Sequence, residues 1–143
     1  MITTKNPLVE VLGLGQSIWY DNIRRSLIDS GELERMVAED GLRGVTSNPA
    51  IFEQAIKGSD DYTHEIARLR AQGVTDAKDI YERLAVKDIR DAADILRPVY
   101  DETSGADGYV SLEVSPLLAH DADGTVAEAE RLWRLVGREN LMV

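Results

Sequence analysis

The sequence predicts an α/β fold with a parallel sheet and helices outside it, on three observations. Short apolar stretches of strand length alternate with longer segments whose apolar residues recur at helical spacing. The order, β-α-β-α-α-β-α-β, implies crossover connections, which are right-handed and bring parallel strands together. In the stretch from Tyr109 to Ser115, Val110, Leu112 and Val114 share one face while Tyr109, Ser111, Glu113 and Ser115 share the other, so one face suits contact with covering helices.

The first strand covers residues 17–20. A helix follows from about Asn22, broken near Ser30 and Gly31, where Ser30 can cap a second segment that ends before Gly41. The second strand covers residues 42–46. Asn48 is then a good N-cap with Pro49 at the first helical position, and Gly58 is a stop signal. Tyr62, Ile66 and Leu69 recur at helical spacing on a segment that Gly73 closes. From Asp76, the stripe Ile80, Leu84, Ile89, Ala93, Leu96 and Tyr100 marks a long helix, kinked by Pro98. The third strand covers residues 109–114, after a turn around Gly105 and Gly108. Thr125 and Glu128 form a capping box for a helix carrying Val126, Ala129, Leu132, Trp133 and Val136. Residues 141–143 begin a fourth strand. No linker, repeat or low-complexity tract interrupts the 143 residues, so one domain over 1–143 is expected.

A hydrophobic content of 43% with 29% charged residues provides for a sizeable core. The net charge of −10, from 26 acidic and 16 basic residues, is spread without long single-sign blocks. Binding to nucleic acid needs clustered Lys and Arg to displace counterions, so it is not expected; a small phosphorylated substrate is compatible, because a few local cations can hold a phosphate. With no cysteine, disulfides and thiol chemistry are excluded. The opening MITTKNPLVEVLGLG lacks a charged segment followed by a continuous apolar run, and no apolar run reaches membrane-spanning length. A cytoplasmic protein without membrane contact is expected. His64 and His120 do not form a zinc-ligand pair, and no metal site is expected.

Chemistry concentrates in GVTSNPAIF, residues 44–52. An apolar strand runs into Thr46, Ser47 and Asn48, and Pro49 opens a helix, so polar side chains and unpaired helix N–H groups converge at the strand's carboxyl end. Thr46 and Asn48 share a parity and are candidate substrate-binding residues; a simple N-cap is the competing reading for Asn48. Asp21 ends the first strand and shares a parity with Trp19; it reads either as a helix cap or as an acid–base group. Glu113 occupies the face of the third strand that a barrel would bury, where a carboxylate needs a partner or a functional use; an edge strand with Glu113 in water is the alternative. His120 lies in a polar loop and reads as solvated.

These segments, NPLVEVLG, QSIWYDNI, GVTSNPAIF, DGYVSLEVSP and ENLMV, resemble the transaldolases over nearly the whole chain. The resemblance implies a (β/α)8 barrel of the class I aldolase type, of which this chain is about the first half. It also implies transfer of a dihydroxyacetone unit from sedoheptulose 7-phosphate to glyceraldehyde 3-phosphate through a Schiff base, in the pentose phosphate pathway. Phosphosugars are then the partners, and no cofactor or metal is involved. By position, Asp21 is implied to be the acid/base for the carbon–carbon bond, Glu113 to assist carbinolamine dehydration through a water, and Asn48 with Thr46 to bind substrate hydroxyls.

The family's nucleophilic lysine follows a strand like NLMV, so the chain is expected to end just before it, and Lys5, Lys57, Lys78 and Lys87 do not replace it. Half a barrel is also expected to expose two sheet edges, which favours association. Another Schiff-base aldolase of the same barrel, and a small non-catalytic α/β binding module, are the other functional classes; the sequence sets no oligomeric state.

Overall fold

The computed structural model describes residues 6–143. Its elements are α1 (Pro7–Leu12), β1 (Ile18–Tyr20), α2 (Arg25–Asp29), α3 (Glu32–Glu39), β2 (Leu42–Val45), α4 (Pro49–Gly58), α5 (Thr63–Ala71), α6 (Ala77–Glu102), β3 (Tyr109–Ser111), α7 (Ala122–Val136) and β4 (Leu141–Met142), with a 3-10 turn over Pro116–Leu118. The sheet order is β1-β2-β3-β4 and every pair is parallel. Consecutive parallel neighbours joined by helical crossovers are the arrangement of half a (β/α)8 barrel.

One row across the sheet, Tyr20, Val45, Val110 and Leu141, is in register. Val45, Val110 and Leu141 are at most 5% exposed, and they pack with Leu33, Ile89, Ala93 and Leu96 beneath the helices. The apolar side of the sheet therefore faces the helix layer, as the alternation in β3 predicts. Helix α6 is the main support: at 1.5 Å per residue its 26 residues span about 39 Å. Asp76 caps it through a bond from the Asp79 N–H, 2.9 Å. Ile80, Leu84, Ile89, Ala93 and Leu96 are all buried, and Tyr100 is half-buried. Pro98 does not interrupt this helix, which runs on to Glu102. The residue whose carbonyl loses its partner, Asp94, is exposed, so water can satisfy it.

One helix is additional to the expected elements, and four local expectations are corrected. Helix α1 stands before the first strand; its Asn6 side chain accepts from the Leu8 N–H, 3.0 Å, and Pro7 occupies the first turn. Helix α2 starts at Arg25 and not at about Asn22, because the chain is extended at Arg24 and Ile23 is drawn fully into the core. Helix α7 starts three residues before Thr125: Asp121 is its cap, accepting from the Gly124 N–H at 2.9 Å, and the Thr125 hydroxyl bonds the Asp121 and Leu118 carbonyls. Glu128 then pairs with Arg131 instead of closing a capping box. On α7 only Leu132 and Val136 of the expected stripe are fully buried, while Val126 is 59% and Trp133 48% exposed. Finally, β3 ends at Ser111, short of residue 114, although the Leu112 N–H still donates to the Met142 carbonyl at 2.9 Å.

Among the described residues no helix is long and apolar enough to cross a membrane.

Candidate active site at the strand ends

Asp21, Thr46, Asn48 and Glu113 all follow the carboxyl ends of adjacent strands. Their surroundings differ. The Thr46 N–H extends the β1–β2 ladder by donating to the Tyr20 carbonyl at 2.9 Å. Its hydroxyl then donates to Asp21 Oδ1 at 2.6 Å. Asp21 is therefore not a helix cap: α2 begins four residues later at Arg25, and its N-cap residue, Arg24, supplies no side-chain bond. The second carboxylate oxygen of Asp21 has no partner among the described residues. An exposed carboxylate with one oxygen oriented by a hydroxyl and the other open is suited to exchanging a proton with a ligand.

Ser47 goes the other way. Its N–H donates to Ser111 Oγ at 3.1 Å and its hydroxyl donates to the Ser111 carbonyl at 2.7 Å, which joins the end of β2 to the end of β3. Ser47 is 2% exposed, so these bonds satisfy polar groups that water does not reach. Asn48 Oδ1 accepts from the Ile51 N–H at 2.9 Å and caps α4, while its Nδ2 makes no bond to a described residue. Capping and ligand binding are thus compatible on this one side chain. Three consecutive residues tie β2 to three different elements, which is the physical content of the TSNP segment.

Beneath Asp21 and Thr46 lies Trp19, which is in register with Gly44. A Cβ at position 44 would stand 2.3 Å from two indole carbons, so the ring rests on the glycine. Neither Gly44 nor Ser47 is among the candidate site residues of the sequence; the glycine in the middle of an apolar strand is the available signal. Gly44→Ala is expected to lower unfolding free energy by about 1–3 kcal/mol, because the indole must leave its place. A denaturant midpoint unchanged from the parent would remove this contact from the account.

Glu113 is exposed, two residues beyond β3. The four strands present do not close a barrel over it. It stands on the rim of an apolar cleft of about 380 Å3 formed by Pro49, Tyr81, Val86, Leu112 and Leu132. Burial pushes the Tyr81 phenol above its usual range, and the charge of Glu113 adds to this. Phe52 meets the same ring edge to face at 6.0 Å. Asp21 lines a different, polar cleft of about 290 Å3 with Asn22, Arg24 and Gln54. The structure brings Asp21 and Thr46 into contact, holds Asn48 beside them through the chain, and leaves Glu113 in a cleft of its own.

His64 and His120 are exposed. Lys57 pairs with Glu53 and Lys87 with Asp91 on helix surfaces, and Lys78 lies on the rim of the Glu113 cleft. Lys5 lies outside the described residues. No group of three or more His, Asp or Glu among the described residues is placed to hold a metal ion.

Residues 18–143 match the family model described as Transaldolase/Fructose-6-phosphate aldolase. The chain belongs to this family. It is 52% identical over 141 residues to a transaldolase of Trichodesmium erythraeum and 53% identical over 134 residues to one of Thiobacillus denitrificans, covering 96% and 94% of the present chain. A transaldolase of Neisseria gonorrhoeae is 49% identical over 136 residues. The matches cover 36%, 37% and 38% of those three relatives, so the chain spans little more than a third of their length. The family resemblance carried by TSNP and its neighbouring strands is correct, and the four parallel strands fit a portion of the family's barrel.

Proposed function

We propose that the complete protein is a transaldolase, a transferase that moves a dihydroxyacetone unit from sedoheptulose 7-phosphate to glyceraldehyde 3-phosphate through a Schiff base. Its place is then the cytoplasmic pentose phosphate pathway. The observation that carries this reading is the Asp21 carboxylate, oriented by Thr46 with its second oxygen open at the strand ends.

The chemistry follows from what a ketose needs. A lysine amine adds to the ketose carbonyl, and the carbinolamine loses water to give an imine. Glu113 assists that loss through a water. The imine then withdraws electrons from the bond between the α and β carbons as the Asp21 carboxylate takes the proton of the β-carbon hydroxyl. The bond breaks, an aldehyde leaves, and the three-carbon unit stays on the lysine as an enamine. The acceptor aldehyde reverses these events, with Asp21 returning the proton to the new hydroxyl. Thr46 and the free Nδ2 of Asn48 hold substrate hydroxyls, so the reacting atoms meet in a fixed orientation. The amine comes from a lysine that follows the β4 segment in the complete protein; residues 1–143 alone are expected to give no turnover.

Borohydride reduction in the presence of fructose 6-phosphate tests the imine. A covalent three-carbon adduct on one lysine is expected, and no adduct on the active complete protein would remove the Schiff base. The family model's own description favours one second reading, simple aldol cleavage of fructose 6-phosphate. Release of free dihydroxyacetone at the same rate with and without an acceptor aldehyde would select it.

A further inference from the structure

We propose that a buried cluster of Arg25, Tyr62 and Asp88, with Asp61 beside it, is the positioning device for Asp21. The inference rests on the acid–base role proposed above for Asp21.

Helix α2 opens without a cap of its own, since Arg24 makes no capping bond. Its first N–H groups are satisfied from a distant part of the chain: the Arg25 N–H donates to the Tyr62 hydroxyl at 3.1 Å and the Ser26 N–H to Asp61 Oδ2 at 3.1 Å. The Tyr62 hydroxyl donates in turn to Asp88 Oδ2 at 2.8 Å. Arg25 Nε and Nη2 donate to Asp88 Oδ1 at 2.9 and 2.7 Å, and the guanidinium lies 5.0 Å from the Tyr62 ring centroid. Tyr62 and Asp88 are 0% exposed and Arg25 8%.

Burying such a pair is a poor route to stability, because desolvating two charges offsets their attraction and apolar residues of similar volume serve as well or better. What it supplies is placement. Both Asp88 oxygens and the Tyr62 hydroxyl are engaged, Oδ1 by two Arg25 nitrogens and Oδ2 by Tyr62, so the start of α2 is pinned against α6 and the entry to α5. Burial raises the Asp88 carboxyl, while Arg25 and the Tyr62 hydroxyl oppose the shift.

The pinned point lies four residues from Asp21. Between them Ile23 is fully buried, and on the other side Thr46 holds the Asp21 carboxylate. Residues 21–25 are therefore a short bridge clamped at both ends, with the reactive carboxylate on it. A shift of about 1 Å in such a group is enough to lower turnover severely. The proposed reaction uses none of the cluster's own atoms, so these are positioning residues.

Tyr62→Phe in the complete protein tests this, since it keeps the ring over Arg25 and removes only the hydroxyl. Turnover is expected to fall about tenfold with little change in KM for fructose 6-phosphate, while borohydride still traps the imine. In an Asp21→Asn background the same change should alter residual turnover by less than about twofold, since the two act as one unit. A purely structural cluster would lower the melting temperature and either leave turnover below that temperature intact or reduce it by one factor in both backgrounds; either result overturns the proposal. If Tyr62→Phe does not fold, Asp61→Ala removes the second cap at lower cost, and Asp61→Asn, which keeps an acceptor, should restore turnover. Should the unmodified protein trap no imine, the functional reading fails by itself, and amide exchange decides the clamp. Exchange at residues 21–26 should quicken in Tyr62→Phe relative to β4, and unchanged exchange there would overturn it.

Discussion

Asp21→Asn in the complete protein is expected to lower kcat by about 10²–10⁴-fold, the usual worth of one positioned acid–base group. The replacement is nearly isosteric, and its amide oxygen can still accept from Thr46, which donates to Asp21 Oδ1 at 2.6 Å. Position is thereby kept and only proton transfer is lost. KM for fructose 6-phosphate should change little, because the hydroxyl binders Thr46 and Asn48 are untouched. Imine formation does not use Asp21, so borohydride should trap at least as much adduct as in the parent. Steady-state turnover, with the trapped adduct measured in parallel, checks both points. Parent-like turnover would remove Asp21 from the mechanism; loss of the adduct along with turnover would show that the substitution disturbs the site as a whole.

Asp88→Ala is expected to be the most destabilising simple change, at about 3–5 kcal/mol, the typical loss when one partner of a buried ion pair is removed. It leaves the Arg25 guanidinium, 8% exposed, without its carboxylate, and the Tyr62 hydroxyl without an acceptor. Replacing the ion pair together, as Arg25→Met and Asp88→Leu with Tyr62 kept, should recover much of that stability, because no charge is then stranded and the Arg25 N–H keeps the Tyr62 hydroxyl as its acceptor. Denaturant unfolding measures both variants. A loss below about 1 kcal/mol for Asp88→Ala would mean that water reaches the guanidinium.

Near the strand ends, the parts legible in the sequence are those built by neighbours. Asn48 before Pro49 is a cap followed by a first-turn residue, and the structure repeats that reading bond for bond. The same signal stands at Asn6 and Pro7, for which the sequence analysis names no element; α1 buries none of its residues. In α7 the better-known pattern misled: Thr125 and Glu128 match a capping box, but Asp121 offers an acceptor one turn earlier and Arg131 competes for Glu128. Val126 and Trp133 continue the apolar stripe of α7, yet they remain exposed because no described element packs on that side.

The candidate site divides along the same line. That Asp21, Thr46, Asn48 and Glu113 follow strand ends is a matter of alternation and chain direction, properties that a period of two and a helix start carry locally. That Thr46 orients Asp21 while Glu113 faces Tyr81 in a separate cleft is not, since parity gives a face and not a neighbour. The least legible feature is the Arg25–Asp88–Tyr62 cluster. Its partners are 63 and 26 residues apart in the chain; Arg25 and Asp88 each read alone as an ordinary polar position, and Tyr62 as part of an apolar stripe. The sequence by itself determined the family, the parallel α/β layering and the polar strand ends, because local hydrophobic period and capping chemistry encode them. Tertiary structure alone decided which side chains meet: burial turns a distant carboxylate and guanidinium into obligatory partners, since neither can remain unpaired away from water.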